Sequence, residues 1–363
     1  MAYRSLVSQT LHYFSRPHRS VPGAPLDTAA AWRGDAVEAE GPWRQPLTSE
    51  QLSDIEQALE VAVGSGKPVT ELVAADLPFQ TLGPTLAEWR QEIAHGRGFV
   101  VFGGLPVQDW DEDRTERFFF GLGQHLGEPG AQNPEGHILG HVRDVGGDYR
   151  TERGYKTRAS LNYHCDAADA VGLLCVQNAQ SGGRSRIASS TTIFNRMLAE
   201  VPDRIGRLFD PLHFDTKAEG GVRTIPIAPM AHMDGRLRTW WHSDYFRSAP
   251  RWSHLGPLDP EILALIDRFD AIAHEPGVFL EMDLQPGDVQ LLSNHTVVHA
   301  RTAYEDGPSK RHLLRLWLSL PGEIQPSERW ARMRAKAALG GRLLVERIRQ
   351  RASVADGAAT TGR

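Results

Sequence analysis

The sequence predicts a mainly β protein, with short strands forming a closed or double-sheet core and helices packed outside it. From about residue 157, short apolar runs alternate with Gly, Pro, Asn and Asp residues, which is typical of many short strands joined by turns. Two longer runs with helical spacing interrupt these strands. Before residue 157 the spacing is mostly helical, so the helices are expected to cover the core rather than to form it.

In residues 1–126, the sequence predicts an irregular lead-in followed by a group of helices, here called the helical cap. Residues 1–46 are interpreted as an irregular N-terminal lead-in, because they lack a continuous apolar core and become rich in Pro, Gly and Ala. Ser49 is the candidate N-cap of the helix that follows. The cap is predicted over 47–126, with helices at 47–64, 84–94 and 112–126 and a buried strand at 98–106.

The second part predicts the strand-rich core, which begins at about residue 157 and completes a single domain over 47–326. Helical insertions at 191–209 and 259–273 interrupt it. The remaining residues, 327–363, are interpreted as a basic C-terminal helix and tail, with the helix amphipathic and solvated. The candidate strands of the core are 171–177, 184–189, 223–228, 237–242, 277–283, 288–293, 297–302 and 311–319.

Composition narrows the possible functions. The 363 residues are 40% hydrophobic and 23% charged, which are ordinary globular values. No apolar run reaches the roughly 18 residues that a membrane span needs, and a net charge of −5 gives no general attraction to nucleic acid or membranes. Cys165 and Cys175 are too few for a disulfide framework and fit a reducing cytoplasm. We therefore expect a small-molecule substrate, and the sequence leaves homo-oligomerisation open.

The run NYHCDAAD at 162–169 contains a candidate pair of metal ligands. His164 and Asp166 are two positions apart, so both side chains leave the same face of an extended segment. Their Cα atoms would lie about 7 Å apart at roughly 3.3 Å per residue, which lets the two side chains converge on one metal ion. The pair alone is weak evidence, because a surface His–Asp pair is the commoner occurrence.

A third ligand can come from LQPGDVQLLSNHTVVHARTAYED at 284–306. This run contains an apolar strand, Asn294, and two histidines, His295 and His299. The two histidines share strand parity, so periodicity does not choose between them. Either histidine would complete a set of two histidines and one carboxylate, the facial arrangement that leaves open positions on non-heme Fe(II).

The strand RHLLRLWLSL at 311–320 is apolar on both faces and is therefore expected to be buried on both sides. Arg311 and Arg315 lie on the same face, where a buried guanidinium is costly unless an anion pairs with it. A structural Asp or Glu could pair with one arginine. Two same-face arginines downstream of a metal ligand favour a dicarboxylate ligand, which guanidinium binds with a two-pronged fit.

These motifs together resemble the taurine dioxygenase-like (TauD/TfdA) family of Fe(II)- and 2-oxoglutarate-dependent oxygenases. The resemblance covers roughly residues 95–320 and is carried by GFVVFGGLP, HCD, SGGRS, the PGD–strand–Asn–His run and RxxxR. It implies a double-stranded β-helix (jelly roll, cupin-like) core flanked by α-helices. A short segment after Asp166 is similar to the γ-butyrobetaine hydroxylase branch of the family.

The resemblance also assigns roles to individual residues. It gives His164, Asp166 and His299 as the iron ligands, with His299 chosen because it lies five positions beyond Asn294. It implies that Arg311 holds the distal carboxylate of the co-substrate 2-oxoglutarate and that Arg315 lies nearer the metal or the substrate. The hydroxyl that also meets the distal carboxylate is assigned to Ser185, with Thr191 as the competitor.

The implied reaction uses Fe(II), 2-oxoglutarate and O₂ to hydroxylate, or oxidatively cleave, an unactivated C–H position, releasing succinate and CO₂. The expected substrate is a small metabolite that is anionic or amino-acid-like, and RLRTWWHSDYFR (236–247) and QNPEGHILGH (132–141) are candidate pocket linings. The carboxylate of Asp166 argues against halogenation. The alternatives are a zinc-dependent hydrolase, which does not explain the paired arginines, and a non-catalytic cupin-like metal-binding protein.

Overall fold

The computed structural model describes residues 3–146, 158–218 and 222–360, with side chains as far as residue 350. Its strands, in chain order, are β1 (Arg44–Pro46), β2 (Phe99–Gly103), β3 (Glu128–Gly130), β4 (Leu139–Val142), β5 (Leu161–His164), β6 (Ala170–Gln177), β7 (Ser181–Gly182), β8 (Ser185–Ser189), β9 (Leu212–Asp215), β10 (Thr224–Ile227), β11 (Met230–Met233), β12 (Arg236–Thr239), β13 (Phe279–Met282), β14 (Val289–Ser293), β15 (Val297–Arg301), β16 (Tyr304–Glu305) and β17 (His312–Ser319).

The helices pack against these strands on two sides. They are α1 (Leu6–Phe14), α2 (Gly34–Glu40), α3 (Ser49–Gly64), α4 (Leu82–His95), α5 (Glu112–Leu126), α6 (Ser190–Glu200), α7 (Ser243–Ser248), α8 (Pro260–Ala273) and α9 (Arg329–Thr360). Short 3₁₀ turns lie at Val69–Glu71, Ala74–Asp76, Ile205–Phe209, Ala249–Arg251 and Pro326–Glu328.

Two facing sheets form the core, as the strand pattern predicts. The larger sheet has the order β1-β2-β14-β6-β17-β3, with β4 also paired to β17, and the smaller has the order β13-β8-β15-β5. Between them lies one apolar cluster to which the larger sheet contributes Leu313 and Trp317 and the smaller contributes Ile187 and Val297. On β17, Leu314 and Leu316 belong instead to the cluster under α3, α4 and α5. The strand is therefore buried on both faces.

The lead-in is the main departure from the sequence prediction. Residues 1–46, expected to be irregular, contain α1, α2 and β1. The Ser5 hydroxyl caps α1, and Tyr13 and Phe14 are buried against the smaller sheet's outer face. Arg44 of β1 forms an ion pair with the fully buried Asp288. These short elements are stabilised by distant partners, so local composition did not reveal them.

Smaller corrections concern where elements begin and end. The N-cap of α3 is Thr48 rather than Ser49, because Thr48 and Gln51 exchange side-chain and backbone hydrogen bonds in a capping box. The insertion at 191–209 is divided, with α6 ending before Val201 and Pro202 and a 3₁₀ turn following. The expected start of the core near residue 157 lies outside the described residues, and β5 begins at Leu161.

The C-terminal helix packs more extensively than a solvated helix would. Leu339 and Glu346 of α9 are buried, and the Glu346 carboxylate accepts hydrogen bonds from Thr224 and His254. The helix contacts both α1 and β10. Among the described residues, no helix combines the length and apolar character needed to cross a membrane.

Candidate metal centre and substrate cavity

The pairing of β5 with β15 brings the predicted triad together. His164 ends β5 and lies opposite His299 of β15, and residues opposite each other in an antiparallel pair share one face. Asp166 follows two positions after His164. One ligand atom from each of His164, Asp166 and His299 lies within 4.8 Å of the others. The centroids of the two imidazole rings are 4.2 Å apart, and His299 Nε2 is 4.0 Å from Asp166 Oδ2.

His295 lies outside this group. The shared parity of His295 and His299 expected from sequence is wrong, because Asn294, His295 and Thr296 form a turn between β14 and β15. The turn directs His295 the other way, where its Nε2 donates to Asp169 Oδ1 at 3.0 Å. Its ring also stacks on Tyr13, with centroids 4.9 Å apart.

The triad has electron pairs available for a cation. His164 Nδ1 donates to the Asn162 carbonyl oxygen at 2.8 Å, which leaves its Nε2 as the lone-pair nitrogen. Asp166 Oδ2 and His299 Nδ1 are buried and have no hydrogen-bond partner among the described residues. Buried polar atoms are normally hydrogen-bonded, so these two atoms require an explanation. A metal ion bound within the triad accounts for the carboxylate oxygen directly.

Burial and neighbouring charges set the protonation of the triad. Burial, followed by the nearby His164, lowers the pKa of His299 to about 3, and burial also lowers the pKa of His164. Burial alone would raise the pKa of Asp166, but Arg315 and the two histidines outweigh it and hold that pKa at about 2. At neutral pH the site therefore offers two neutral imidazoles and one carboxylate, the donor set that suits non-heme Fe(II).

Asn294 holds the carboxylate ligand candidate in place, a role that the sequence did not indicate beyond the residue's spacing from His299. Its side-chain Oδ1 accepts the backbone N–H of Asp166 at 2.9 Å, and its own backbone N–H donates to the Asp169 carbonyl at 2.9 Å. Asn294 is fully buried. The segment carrying Asp166 is therefore fixed by the side chain of Asn294, which lies in the turn before the strand that carries His299.

Arg311 packs against the glycine turn that precedes β8. Gly183 has φ +72°, and a Cβ atom there would approach Arg311 Nε to 2.9 Å, so the close packing requires glycine. The guanidinium lies 5.2 Å from the Tyr304 ring centroid, and its Nη1 is buried without a hydrogen-bond partner among the described residues. Burial lowers the pKa of Arg311.

Of the two hydroxyl candidates, Ser185 follows this glycine turn directly. It is buried in β8, and its Oγ lies 3.1 Å from both the Oε1 and the Nε2 atoms of Gln290. Thr191 is buried in the first turn of α6. Ser185 is therefore the candidate closer in sequence to the segment that Arg311 contacts.

Arg315 points toward the triad. Its Nη1 donates to Asp166 Oδ1 at 3.4 Å, and its Nε donates to Gln132 Oε1 at 2.7 Å. Gln132 also donates through Nε2 to the Arg315 carbonyl at 2.8 Å, so one glutamine fixes both the backbone and the side chain of this arginine. Gln132 belongs to the polar run that the sequence suggested as a pocket lining.

A cavity of about 470 Å³ opens beside the triad. Of the aromatic run at 236–247, Trp240, His242 and Tyr245 line it, whereas Trp241 stacks on Phe269 in the core with ring centroids 3.7 Å apart. The cavity is lined by Leu6, Val7, Thr10, Leu11, Phe14, Leu161, Asn162, His164, Cys165, Asp166, Ala167, Phe214, Thr216, Val222, Ile225, Trp240, His242, Tyr245, Arg315, Trp317, Gly340, Leu343, Leu344 and Arg347.

The chain was compared with protein-family models and with characterised sequences, and both comparisons found related proteins. The model of the family described as "Taurine catabolism dioxygenase TauD, TfdA family" matches residues 65–317. FR-33289 synthase of Streptomyces rubellomurinus (strain ATCC 31215) is 32% identical over 308 residues, which cover 82% of this chain and 91% of that protein. Taurine hydroxylase-like protein SAT17 of Stachybotrys chartarum is 28% identical over 314 residues, covering 80% of this chain and 79% of that protein.

Solved structures agree on the architecture. Asparagine oxygenase in complex with Fe(II), 2S,3S-3-hydroxyasparagine and succinate superposes with a TM-score of 0.59 at 18% identity, covering 77% of this chain and 94% of that one. The non-heme iron oxygenase OrfP in complex with Fe and alpha-ketoglutaric acid gives a TM-score of 0.55 at 17% identity, covering 76% and 94%. The predicted jelly-roll core flanked by helices is confirmed.

Proposed function

Because this chain belongs to the TauD/TfdA family and is therefore an Fe(II)- and 2-oxoglutarate-dependent dioxygenase, we propose that His164, Asp166 and His299 hold its iron ion. The observation that carries this proposal is the convergence of three donor atoms within 4.8 Å, one of which, Asp166 Oδ2, is buried without a partner among the described residues. Because Arg315 hydrogen-bonds Oδ1 of the same carboxylate, Oδ2 is the oxygen available to the metal.

The reaction is the hydroxylation or oxidative cleavage of a C–H position, with release of succinate and CO₂. Bound iron, 2-oxoglutarate and O₂ supply the oxidising power, and the protein supplies orientation and exclusion of water. Asn294 keeps the Asp166 carboxylate aimed at the site, and Asn162 fixes the tautomer of His164. The sequence alternatives, a zinc hydrolase and a non-catalytic binding protein, are not supported by the family assignment.

For 2-oxoglutarate, we propose that Arg311 binds the distal carboxylate with Ser185 beside it. The buried Nη1 of Arg311 lacks a hydrogen-bond partner among the described residues, and burial already disfavours its charge, so an entering carboxylate would satisfy both. Ser185 is preferred over Thr191 because it follows the glycine turn on which Arg311 packs. Arg315, which faces both Asp166 and the cavity, is proposed to contact the primary substrate or the metal-bound end of 2-oxoglutarate.

The primary substrate is proposed to be a small, anionic or amino-acid-like metabolite. Two neighbouring structures contain hydroxylated amino acids, 3-hydroxyasparagine and (3S)-hydroxy-L-Arg, and the cavity here carries Arg315 and Arg347. A cytoplasmic location is proposed because Cys165 and Cys175 are both free and buried.

The test is succinate formation from 2-oxoglutarate by the purified protein with Fe(II) and ascorbate. We expect slow succinate release without substrate and none when iron is omitted. The iron content of the wild type should be one per chain and should be lost in His299→Ala. Iron that stays bound in His299→Ala would refute the ligand set, and the absence of any 2-oxoglutarate turnover would refute the co-substrate assignment.

A further inference from the structure

Two of the helices that line the cavity beside the triad lie outside the part of the chain that the family model matches. The family model matches residues 65–317, whereas α1 spans Leu6–Phe14 and α9 spans Arg329–Thr360. Both helices line the cavity, with Leu6, Val7, Thr10, Leu11 and Phe14 from α1 and Gly340, Leu343, Leu344 and Arg347 from α9. Features of this chain's own substrate should therefore be read from these two helices.

Hydrogen bonds hold both helices in position beside the cavity. His12 of α1 donates through Nε2 to the buried Asp169 at 2.7 Å and accepts at Nδ1 from Arg332 of α9 at 2.8 Å. The Tyr13 hydroxyl donates to the Asn294 carbonyl at 2.8 Å. On the far side, Glu346 of α9 accepts a hydrogen bond from His254 at 2.6 Å. The two helices are thus joined to each other and to the segment that carries the triad.

The inner surface of this enclosure is mostly apolar. Together with the apolar side chains of α1 and α9, Phe214, Val222, Ile225 and Trp240 line the cavity. Leu344 lines it while remaining 62% exposed, so its apolar surface is available to a ligand. A cavity of about 470 Å³ falls within the range of roughly 300–1,000 Å³ typical of sites for drug-sized ligands. A free polar amino acid would leave much of this apolar surface against water.

Positive charge is present at two places in the enclosure. Arg315 lies beside Asp166, and Arg347 projects from α9 into the lining. Arg347 is exposed and belongs to the cavity lining. An anionic group on a ligand that extends from the triad toward α9 would therefore meet an available guanidinium.

We propose that the primary substrate is an amphipathic anion, in which a hydrocarbon chain or ring packs between α1 and α9 and a negatively charged group pairs with Arg347. This inference rests on the proposed function, because it takes the carbon that reacts to lie next to the proposed iron site. It assigns substrate selection to α1 and α9 and the chemical step to the jelly-roll core.

Linear alkanesulfonates from ethane- to octanesulfonate are suitable probes, because a sulfonate stays ionised and does not imitate the carboxylate ends of 2-oxoglutarate. Binding would be measured by calorimetry under anaerobic conditions, with Fe(II) and saturating 2-oxoglutarate present. We expect the dissociation constant to fall by up to about fourfold for each methylene that becomes buried, the factor that corresponds to ~0.8 kcal/mol per CH₂. Alkyltrimethylammonium ions of equal length should bind more weakly. Affinity that does not change with chain length, or cations that bind as well as anions, would overturn the proposal.

Matched variants on α9 locate the site. Leu344→Glu places a charge in the apolar wall and should weaken octanesulfonate binding at least tenfold. Ile348→Glu is the control, because Ile348 is 60% exposed on the same helix but does not line the cavity. Arg347→Ala should reduce the preference for anions without changing the gain per methylene, and Arg349→Ala should have no effect. Equal losses in Leu344→Glu and Ile348→Glu would refute the assignment to this cavity.

The wild-type protein separates this inference from the proposed function. Succinate formation together with chain-length-independent sulfonate binding would keep the dioxygenase assignment and reject the amphipathic substrate. Chain-length-dependent binding without any succinate formation would keep the cavity as an amphipathic-anion binding site and reject both the proposed iron and co-substrate sites and the role of that anion as substrate.

Discussion

Two groups of the same composition, each with two histidines and one aspartate, share neighbouring segments of the chain. The triad consists of His164, Asp166 and His299, and the second group, here called the anchor cluster, consists of His12, Asp169 and His295. The aspartates are three positions apart in sequence, and His295 and His299 are four apart. Both aspartates are buried. Residue type and burial therefore do not distinguish the two groups.

Hydrogen-bond saturation does distinguish them. Asp169 accepts from His295 at Oδ1, and from His12 and the backbone N–H of Leu320 at Oδ2, at 2.7 to 3.0 Å. The Asp166 carboxylate accepts from Arg315 at 3.4 Å and also interacts with the Trp317 side chain, and its Oδ2 has no hydrogen-bond partner within bonding distance among the described residues. In the anchor cluster both carboxylate oxygens of Asp169 accept from the protein's own N–H groups, although His295 Nδ1 is buried without a hydrogen-bond partner among the described residues. In the triad, by contrast, one carboxylate oxygen stays available for a cation.

The largest expected effect is the loss of iron from the triad. His164→Ala, Asp166→Ala and His299→Ala should each abolish iron-dependent turnover, because each removes one of the three proposed iron ligands. His295→Ala should keep a substantial part of both bound iron and turnover. Iron analysis together with succinate formation measures this. Loss of iron in His295→Ala with retention in His299→Ala would reverse the comparison.

Next in size is the stability of the anchor cluster. Asp169→Asn removes the charge that accepts two imidazole N–H groups in a buried site, and a hydrogen bond to a charged group typically contributes about 1.5–3 kcal/mol. Denaturant unfolding of the metal-free protein measures the change. The matched variant Asp166→Asn should lose iron affinity with a smaller loss of unfolding free energy, because its carboxylate makes fewer hydrogen bonds. Equal destabilisation by the two variants would mean that saturation does not separate the groups.

The same criterion, the presence or absence of hydrogen-bond partners, applies to Arg315 of β17 and to Arg311, which immediately precedes that strand. Arg311 has a buried Nη1 without a described partner, whereas Arg315 is bonded to Gln132 and Asp166. Arg311→Ala should therefore raise the apparent KM for 2-oxoglutarate, by a factor equivalent to about 2–5 kcal/mol. Arg315→Ala should act mainly on the primary substrate or the C1 end of 2-oxoglutarate. Titration of 2-oxoglutarate decides this, and unchanged affinity in Arg311→Ala would contradict the proposed role.

The smallest effect is a pH dependence within the anchor cluster. Burial lowers the pKa of His295, so the unfolded chain takes up a proton there first, and stability falls as pH drops below the unfolded value of about 6.5. Burial alone would raise the pKa of Asp169, but His12 and His295 outweigh burial and lower that pKa. The contribution of Asp169 to the free energy of unfolding is therefore lost only below about pH 4. In unfolding experiments, His295→Gln should reduce the slope between pH 6.5 and 4. An unchanged slope in that window would show that His295 does not titrate as described.

The sequence predicted the parts of the site that local geometry determines. His164 and Asp166 were expected on one face because of their spacing, and the alternation on β17 placed Arg311 and Arg315 toward the interior. The choice between His295 and His299 came from family resemblance, since the turn at Asn294 resets the strand parity. The eight predicted strands correspond to β6, β8, β10, β12, β13, β14, β15 and β17, because turn residues mark their ends, whereas β5, β9 and β11 were not predicted.

What the sequence missed depends on long-range contacts. α1 has no strong local signal, and it is held by Asp169, which lies 157 residues away from His12. Gln132 and Asn294 each act on a segment more than a hundred residues distant. No periodicity records such a partnership, so these residues could be identified only once the fold had brought them together.

The hydrogen bond between His12 and Arg332 also has a consequence for the order of folding. The two residues are 320 positions apart, so α1 leaves the ribosome long before its partner on α9 exists. Contacts of such high sequence separation form late, because the entropy of closing a long loop must be overcome first. The strands of the two core sheets can pair around the triad before α1 is held against α9. We therefore expect the cavity to be closed late in folding, after α9 has been synthesised.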